Sequence, residues 1–349
     1  MSKYLASRLS NLVAYTPGEQ PDKDKYIKLN TNENPYPPAK EVTDVLTEVA
    51  PNLHLYCDPA CKALTEAFCN YYSINKEETL FANGSDEILA LCYMTFCEQS
   101  VAFPSISYGF YEVYSDLFCL DAYKIPLTAD FRVDKNDYFN LDKTIIIANP
   151  NAPTGLTISL SDIEDILNTN KDNVVIIDEA YADFCDVSCK ELVKAYDNLV
   201  VVGTFSKSRN LAGARLGYAI ACEALIEDLK RVKNSFNPYN VNMLTQALGT
   251  ASIKQDEYFK NCISKVITER NNFIRQLDKL GFSTLTSGAN FVFTTHCKFS
   301  GEELYNKLRD RKILVRHFNK ESINNFVRIT IGTPEQMKQV SKALEEIIL

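Results

Sequence analysis

Six short runs in the first two thirds of the chain are apolar at nearly every position: Thr79–Ala82, Ser100–Pro104, Thr144–Ala148, Val174–Ile177, Leu199–Gly203 and Gly217–Ala221. A strand with one face in water alternates polar and apolar residues, whereas unbroken runs of this length belong to strands covered on both faces, as in a parallel sheet. Between them, apolar positions recur at helical spacing over 39–49, 61–72, from Ser85 to Cys97, and over 162–168. Past Glu223 the helical pattern continues to about Leu280, and the run 257–280, polar on one side, reads as a long helix bridging two parts of the molecule. The remainder alternates strand patterns at 290–295, 313–316 and 326–332 with helices at 301–309 and 334–348. Alternation of this kind predicts an α/β fold with a mostly parallel central sheet. A chain of 349 residues exceeds what one core usually holds. The expected division is a large α/β domain over 45–250 and a smaller α/β domain built from 1–44 and 251–349.

Composition narrows the partners. Forty-five acidic against 37 basic residues leave a net charge of −8, with no clustered basic face of the kind nucleic acid requires. Eleven cysteines without a CxxC pair fit neither a disulfide framework nor a zinc site, and suit free thiols in a reducing cytoplasm. Residues 1–11 carry no apolar signal core, and no stretch approaches the roughly eighteen apolar residues of a membrane span. The expectation is a cytoplasmic protein acting on small molecules, with no nucleic-acid or membrane partner. His54, His296 and His317 fit no triad or metal-ligand spacing.

The chemistry gathers where the apolar strands end, which is where open α/β sheets bind ligands. After 199–203 come Thr204, Ser206, Lys207 and, eight residues on, Arg215: hydroxyl donors, a nucleophilic amine and a guanidinium fork. After 79–82, Gly84-Ser85-Asp86-Glu87 opens a helix, with Ser85 as the cap and the Ser85 and Asp86 backbone offering N–H groups to a phosphate. Asp178 follows a fully apolar strand and needs a cation or donor, Tyr181 stands three residues further on, and Tyr108 lies past the end of 100–104. Each taken singly has a plain structural reading as surface charge, helix cap or core tyrosine. Together they suit pyridoxal phosphate, which offers an aldehyde to a lysine, a phosphate to hydroxyl and guanidinium groups, and a ring nitrogen to a carboxylate.

The string Thr204–Tyr218, TFSKSRNLAGARLGY, resembles the lysine segment of fold-type-I, pyridoxal-phosphate-dependent aminotransferases, and its Asn-Leu-Ala-Gly form is similar to that of histidinol-phosphate aminotransferases. The likeness runs from about Leu9 to Thr333. It implies that Lys207 binds the cofactor covalently, Asp178 faces its ring nitrogen, and Tyr181 its phenolic oxygen. Ser85, Asp86, Thr204, Ser206 and Arg215 would hold the phosphate, Tyr108 would stack on the ring, and Tyr56 would reach across a homodimer interface to the other subunit's phosphate. Asn32, in the irregular Thr31–Pro38 string, would face substrate; Arg328 would bind an α-carboxylate and Arg316 the substrate's phosphate. The chain departs from the family's Asn-Pro-Asn-Asn-Pro-Thr-Gly, because Ala152 stands where an asparagine usually bonds the phenolic oxygen; Asn151 is the expected substitute. The implied reaction is transamination of L-histidinol phosphate with 2-oxoglutarate, giving imidazole acetol phosphate and L-glutamate, as in histidine biosynthesis. An aromatic amino-acid aminotransferase is the alternative. A threonine-phosphate decarboxylase would carry a His-Gly-Gly-Asn stretch near the N-terminus, absent here, and the intact Lys207, Asp178 and Arg328 count against a non-catalytic binding protein.

Overall fold

The computed structural model describes residues 2–10, 12–21 and 25–348. After β1 (Ile27–Lys28), helices α1 (Lys40–Val49) and α2 (Lys62–Tyr72) lead to strand β2 (Thr79–Ala82), and then α3 (Gly84–Phe96), β3 (Ser100–Pro104), α4 (Phe110–Phe118) and β4 (Asp121–Ile125) follow. Next come β5 (Thr144–Ala148), α5 (Leu160–Thr169), β6 (Val175–Asp178), β7 (Leu199–Thr204) and β8 (Gly217–Ala221). Among the described residues these strands form one seven-stranded sheet in the order β2-β8-β7-β6-β5-β3-β4, parallel except where β8 runs antiparallel to both its neighbours.

The apolar runs have a simple cause, because successive side chains leave a strand on opposite faces and both faces are covered. Ile145, Ile147, Val175, Ile177, Leu199 and Val201 point to one side, where they meet Leu64 and Phe68 of α2 and Ile163, Ile166 and Leu167 of α5. Ile146, Ile176, Val200 and Val202 point to the other, against Ile88, Leu89 and Cys92 of α3 and Tyr111 and Tyr114 of α4. Strand β4, at the sheet edge, is mostly exposed, so its residues carry no continuous apolar signal.

The helical pattern past Glu223 resolves into three helices instead of one long run: α6 (Glu223–Phe236), α7 (Met243–Lys254) and α8 (Asp256–Lys279). Pro238 cannot continue α6, and Asn242 starts α7 afresh by accepting the Thr245 N–H at 2.9 Å. Beyond α8 lie β9 (Phe282–Thr284), β10 (Phe291–His296), α9 (Gly301–Asp310), β11 (Ile313–Leu314), β12 (Arg316–His317), β13 (Val327–Thr330) and α10 (Pro334–Ile348). The strand pattern at 313–316 is thus divided: β12 joins the antiparallel sheet β12-β13-β10-β9, whereas β11 pairs with β1. Leu29 packs with Val266, Phe273, Leu304, Leu308, Met337, Val340 and Leu344 in the core beneath this second sheet, so the N-terminal arm is built into it. Helix α8 ties the sheets together, since Arg270 donates to the carbonyls of Phe184, past β6, and Ala289, before β10. No helix of the described residues is long and apolar enough to cross a membrane.

Candidate active site

Because β3, β5, β6 and β7 are parallel, their C-terminal ends share one edge, and a cavity of about 810 Å³ opens there against the second sheet. Its wall includes Asn32, Asp86, Tyr108, Tyr181, Lys207, Arg215, Arg316 and Arg328. Asp178, Asn151, Ser85, Thr204, Ser206 and Tyr56 are not part of that wall.

Lys207 sits in the turn after β7, its Nζ 3.2 Å from the Thr31 carbonyl and 5.8 Å from the centre of the Tyr181 ring. The turn is held from outside, for Asn34 Nδ2 donates to the Lys207 carbonyl at 3.0 Å and the Ser208 hydroxyl to Asp183. The backbone carrying the amine is therefore fixed while the amine itself faces the cavity.

An anion socket lies beside it. Helix α3 begins at Gly84, with φ at +84°, and no side chain caps its first turn. Ser85 is the second residue of that helix and not its cap, a correction to the sequence reading; Asn83 precedes the helix. A Cβ on Gly84 would come within 2.5 Å of Arg215 Nη2, and one on Gly217 within 2.3 Å of the Ser85 nitrogen, so the two glycines let the guanidinium lie against free N–H groups. Arg215, half-exposed, pairs with Asp86 at 2.9 Å and lies 3.4 Å from the Ser206 hydroxyl, which in turn accepts from Thr204 at 2.9 Å. Uncapped helix N–H groups, a fork of donors and a hydroxyl pair suit a phosphate dianion.

The wall above is aromatic. The Tyr108 hydroxyl donates to Asp86 at 2.8 Å, and its ring meets Tyr111 edge-on at 5.8 Å. Tyr111 links this wall to Asp178: its hydroxyl donates to Asp178 Oδ2 at 2.8 Å, and the Ala180 N–H to Oδ1 at 3.1 Å. Burial pushes the Asp178 carboxyl up to about 6, these two donors opposing the shift. Tyr15 from the N-terminal arm packs on Phe110 at 4.3 Å and approaches Tyr108 at 6.5 Å. Tyr15, Phe110, Phe318, Ile323 and Lys320 also line the cavity. The sequence reading missed all five, which lie outside the apolar strands and carry no motif.

Tyr181 is set by its neighbours. Its ring meets Phe291 edge-on at 5.2 Å, with Ala152 and Ala289 in the same cluster, and its hydroxyl accepts from Asn32 Nδ2 at 2.9 Å. Asn151 does not take the role expected of it. Its Nδ2 donates to the Ile106 carbonyl and the Thr154 hydroxyl, each at 3.0 Å, and its Oδ1 accepts from Ser107 at 2.7 Å. Both amide hydrogens are spent on holding the loop, so none remains for a cofactor oxygen.

On the opposite wall, Arg316 and Arg328 are directly paired residues of β12 and β13, and their guanidinium groups share the Phe318 ring, each 5.5 Å from its centre. Neither forms an ion pair with a carboxylate among the described residues. Arg328 donates to the Asn30 carbonyl at 3.0 Å, but its buried Nε has no partner, and burial lowers its pKa. Two adjacent cations without an internal anion, one with an orphaned donor, form a site that attracts an anionic ligand. Tyr56, by contrast, is 83 % exposed and stacks on Tyr239 at 4.8 Å, away from its own chain's cavity.

Cavity and topology together define an α/β enzyme of the aminotransferase type. A crystal structure of histidinol-phosphate aminotransferase from Sinorhizobium meliloti in complex with pyridoxal-5'-phosphate superposes with a TM-score of 0.86 over 93% of this chain and 91% of that one, at 21% identity, a likeness of fold. The enzyme of the same name from Clostridium acetobutylicum superposes at 0.85, with 26% identity over 92% of this chain and 98% of that one. The chain belongs to the class I and II aminotransferase family, whose profile, Aminotransferase class I and II, matches residues 24–344. Over whole chains it is 49% identical to the histidinol-phosphate aminotransferase of Brachyspira hyodysenteriae, across 100% of this chain and 99% of that protein. It is 46% identical to that of Clostridium botulinum strain Okra, at the same coverage. The protein is accordingly an enzyme, an aminotransferase of a family that depends on pyridoxal phosphate.

Proposed function

We propose that the chain transfers an amino group from L-histidinol phosphate to 2-oxoglutarate, with pyridoxal phosphate held at Lys207, in a cytoplasmic homodimer whose two sites each draw Tyr56 from the other subunit. The observation that carries the reading is one cavity walled by the Lys207 amine, by Arg215 and Asp86 of the phosphate socket, and by two guanidinium groups that have no carboxylate partner among the described residues. Whole-chain relatives named histidinol-phosphate aminotransferase support it.

When bound, pyridoxal phosphate supplies an aldehyde for amino exchange and a ring that takes up the electron pair left by a departing α-proton. Arg215, the α3 N–H groups of Ser85 and Asp86, and the Thr204–Ser206 hydroxyl pair hold the phosphate. Asp178 would provide the buried negative charge for the ring nitrogen, and Tyr181 would donate to the phenolic oxygen. Lys207 would anchor the cofactor, and its Nζ, when free, would take up the proton from the substrate's α-carbon. Arg328 holds the α-carboxylate of glutamate, Arg316 the distal anion, and Asn32 closes the substrate side. A division into a large unit over 45–250 and a smaller one over 1–44 and 251–349 would put this cavity between the two. Asn151 has no place in this assignment.

The test is covalent. Incubation with pyridoxal phosphate, borohydride reduction and peptide mapping are expected to label Lys207, and label on a different lysine overturns the assignment. The aromatic lining of Tyr15, Tyr108, Phe110 and Phe318 favours one second reading, an aromatic amino-acid aminotransferase.

A further inference from the structure

We infer that Thr330 and Asn32 form a relay that directs the Tyr181 hydroxyl proton into the cavity, which makes Thr330 a positioning residue of the site. The inference rests on the proposed function for what that proton meets there.

A phenol hydroxyl carries one donor and two acceptor positions. Asn32 Nδ2 donates to the Tyr181 oxygen at 2.9 Å, and an amide nitrogen cannot accept in return, so the Tyr181 proton has to point elsewhere. Tyr181 belongs to the cavity wall, and Ala152, packed in the same cluster, offers no side-chain polar group. The orientation of the Asn32 amide follows from Thr330. The Asn32 backbone N–H donates to Thr330 Oγ1 at 3.0 Å, and that hydroxyl donates to Asn32 Oδ1, also at 3.0 Å. Turning the amide over would leave the Thr330 proton facing a donor inside a site where Asn32 is 1 % and Thr330 3 % exposed, an arrangement buried hydroxyls avoid.

The backbone is shaped for the same purpose. Asn32 has φ at +55°, the left-handed region that asparagine tolerates better than most residues, and its carbonyl accepts from the fully buried Asn290 at 3.0 Å. Thr330 itself donates its N–H to Leu29 at 3.0 Å. The relay therefore runs from β13 through the N-terminal arm to the residue three positions past β6. The charged and titratable groups facing Tyr181 are Lys207 from the turn after β7, Arg328 from β13 and Tyr108 from the segment before α4. Lysine and arginine are donors, so neither cation competes for the Tyr181 proton.

A donor to the ionised form of a group lowers that group's pKa, and losing it raises the pKa. The experiment loads the protein with pyridoxal phosphate and follows its visible absorption against pH. Asn32→Asp replaces the amide donor with an acceptor that captures the Tyr181 proton; the midpoint of the pH-dependent band is expected to rise by about one unit. Tyr181→Phe should raise it similarly. In the Tyr181→Phe background Asn32→Asp should add little, which separates the relay from the simple effect of a new negative charge. Thr330→Val should shift the midpoint in the same direction, and Thr330→Ser should restore it. An Asn32→Asp midpoint equal to wild type, full additivity with Tyr181→Phe, or a Thr330→Ser shift as large as that of Thr330→Val overturns the relay. If Asn32→Asp does not fold by circular dichroism, the valine and serine variants at 330 decide alone: a shift in the first and none in the second supports the relay, and equal midpoints overturn it. A wild-type protein that takes up no cofactor contradicts the proposed function instead, so the two failures are distinct.

Discussion

Replacing Asp178 with asparagine removes a charge that the cofactor-free chain holds only at a cost. The carboxyl lies at the end of β6, buried, with the Tyr111 hydroxyl and the Ala180 N–H as its donors, and burial raises it from 3.8 to about 6. A carboxyl whose folded pKa exceeds its unfolded value binds more protons in the folded state, so stability falls as pH rises through that window and the loss persists above it. At about 1.4 kcal/mol per pKa unit the loss is on the order of 3 kcal/mol at neutral pH and vanishes below about pH 4. Asparagine keeps one acceptor for two donors, a pH-independent penalty of about 1 kcal/mol. Cofactor-free Asp178→Asn should therefore be more stable than wild type by roughly 2 kcal/mol near neutral pH and slightly less stable near pH 4. Urea unfolding of both proteins across that range reads the difference directly. A difference that stays flat with pH, or shrinks as pH rises, refutes the reasoning. The same buried charge is what a protonated ring nitrogen would neutralise, so the variant that stabilises the empty protein should lose amino transfer.

The arginine pair should divide its work by ligand. Glutamate carries an α-carboxylate and histidinol phosphate does not, so Arg328→Lys should penalise the glutamate half-reaction more, while Arg316→Ala should penalise histidinol phosphate and spare uncharged aromatic amino acids. Each loss is expected at about 1.5 to 3 kcal/mol, roughly ten- to a hundredfold in single-turnover rate over affinity; equal effects on both donors would show that the roles are not separate. Tyr56→Phe subunits mixed with Lys207→Ala subunits should regain activity, because a hybrid dimer holds one site free of both changes. No gain after demonstrated subunit exchange removes Tyr56 from the site.

How far the sequence reaches depends on burial. Strands β5, β6 and β7 were legible because helices cover both faces, which forces an apolar residue at every position; Lys207, Asp178 and Arg215 then stand out as polar groups where such strands end. Strand β4 was not, since Asp121 and Lys124 lie exposed at an edge where no packing constrains them. The long helical pattern hid its breaks because the connections, 237–242 and Gln255, are only a few residues long. Asn151 was misread for a different reason: its residue type suited a cofactor donor, but only the folded loop shows that Ile106 and Thr154 take both its hydrogens. Tyr15, Phe318 and Ile323 reach the cavity through irregular segments far apart in the chain, so their convergence is a tertiary fact. The Asn32–Tyr181 bond spans 149 residues and has no local signal at all.

The central claim is amino transfer from histidinol phosphate, and a single half-reaction tests it. The protein loaded with pyridoxal phosphate is mixed with L-histidinol phosphate under single-turnover conditions, without 2-oxoglutarate, while the absorption spectrum is recorded. The account predicts full conversion of the cofactor to its amino form, its return on adding 2-oxoglutarate, and a slower response to phenylalanine or tyrosine. A protein that converts readily with phenylalanine or tyrosine and leaves histidinol phosphate unchanged would contradict it.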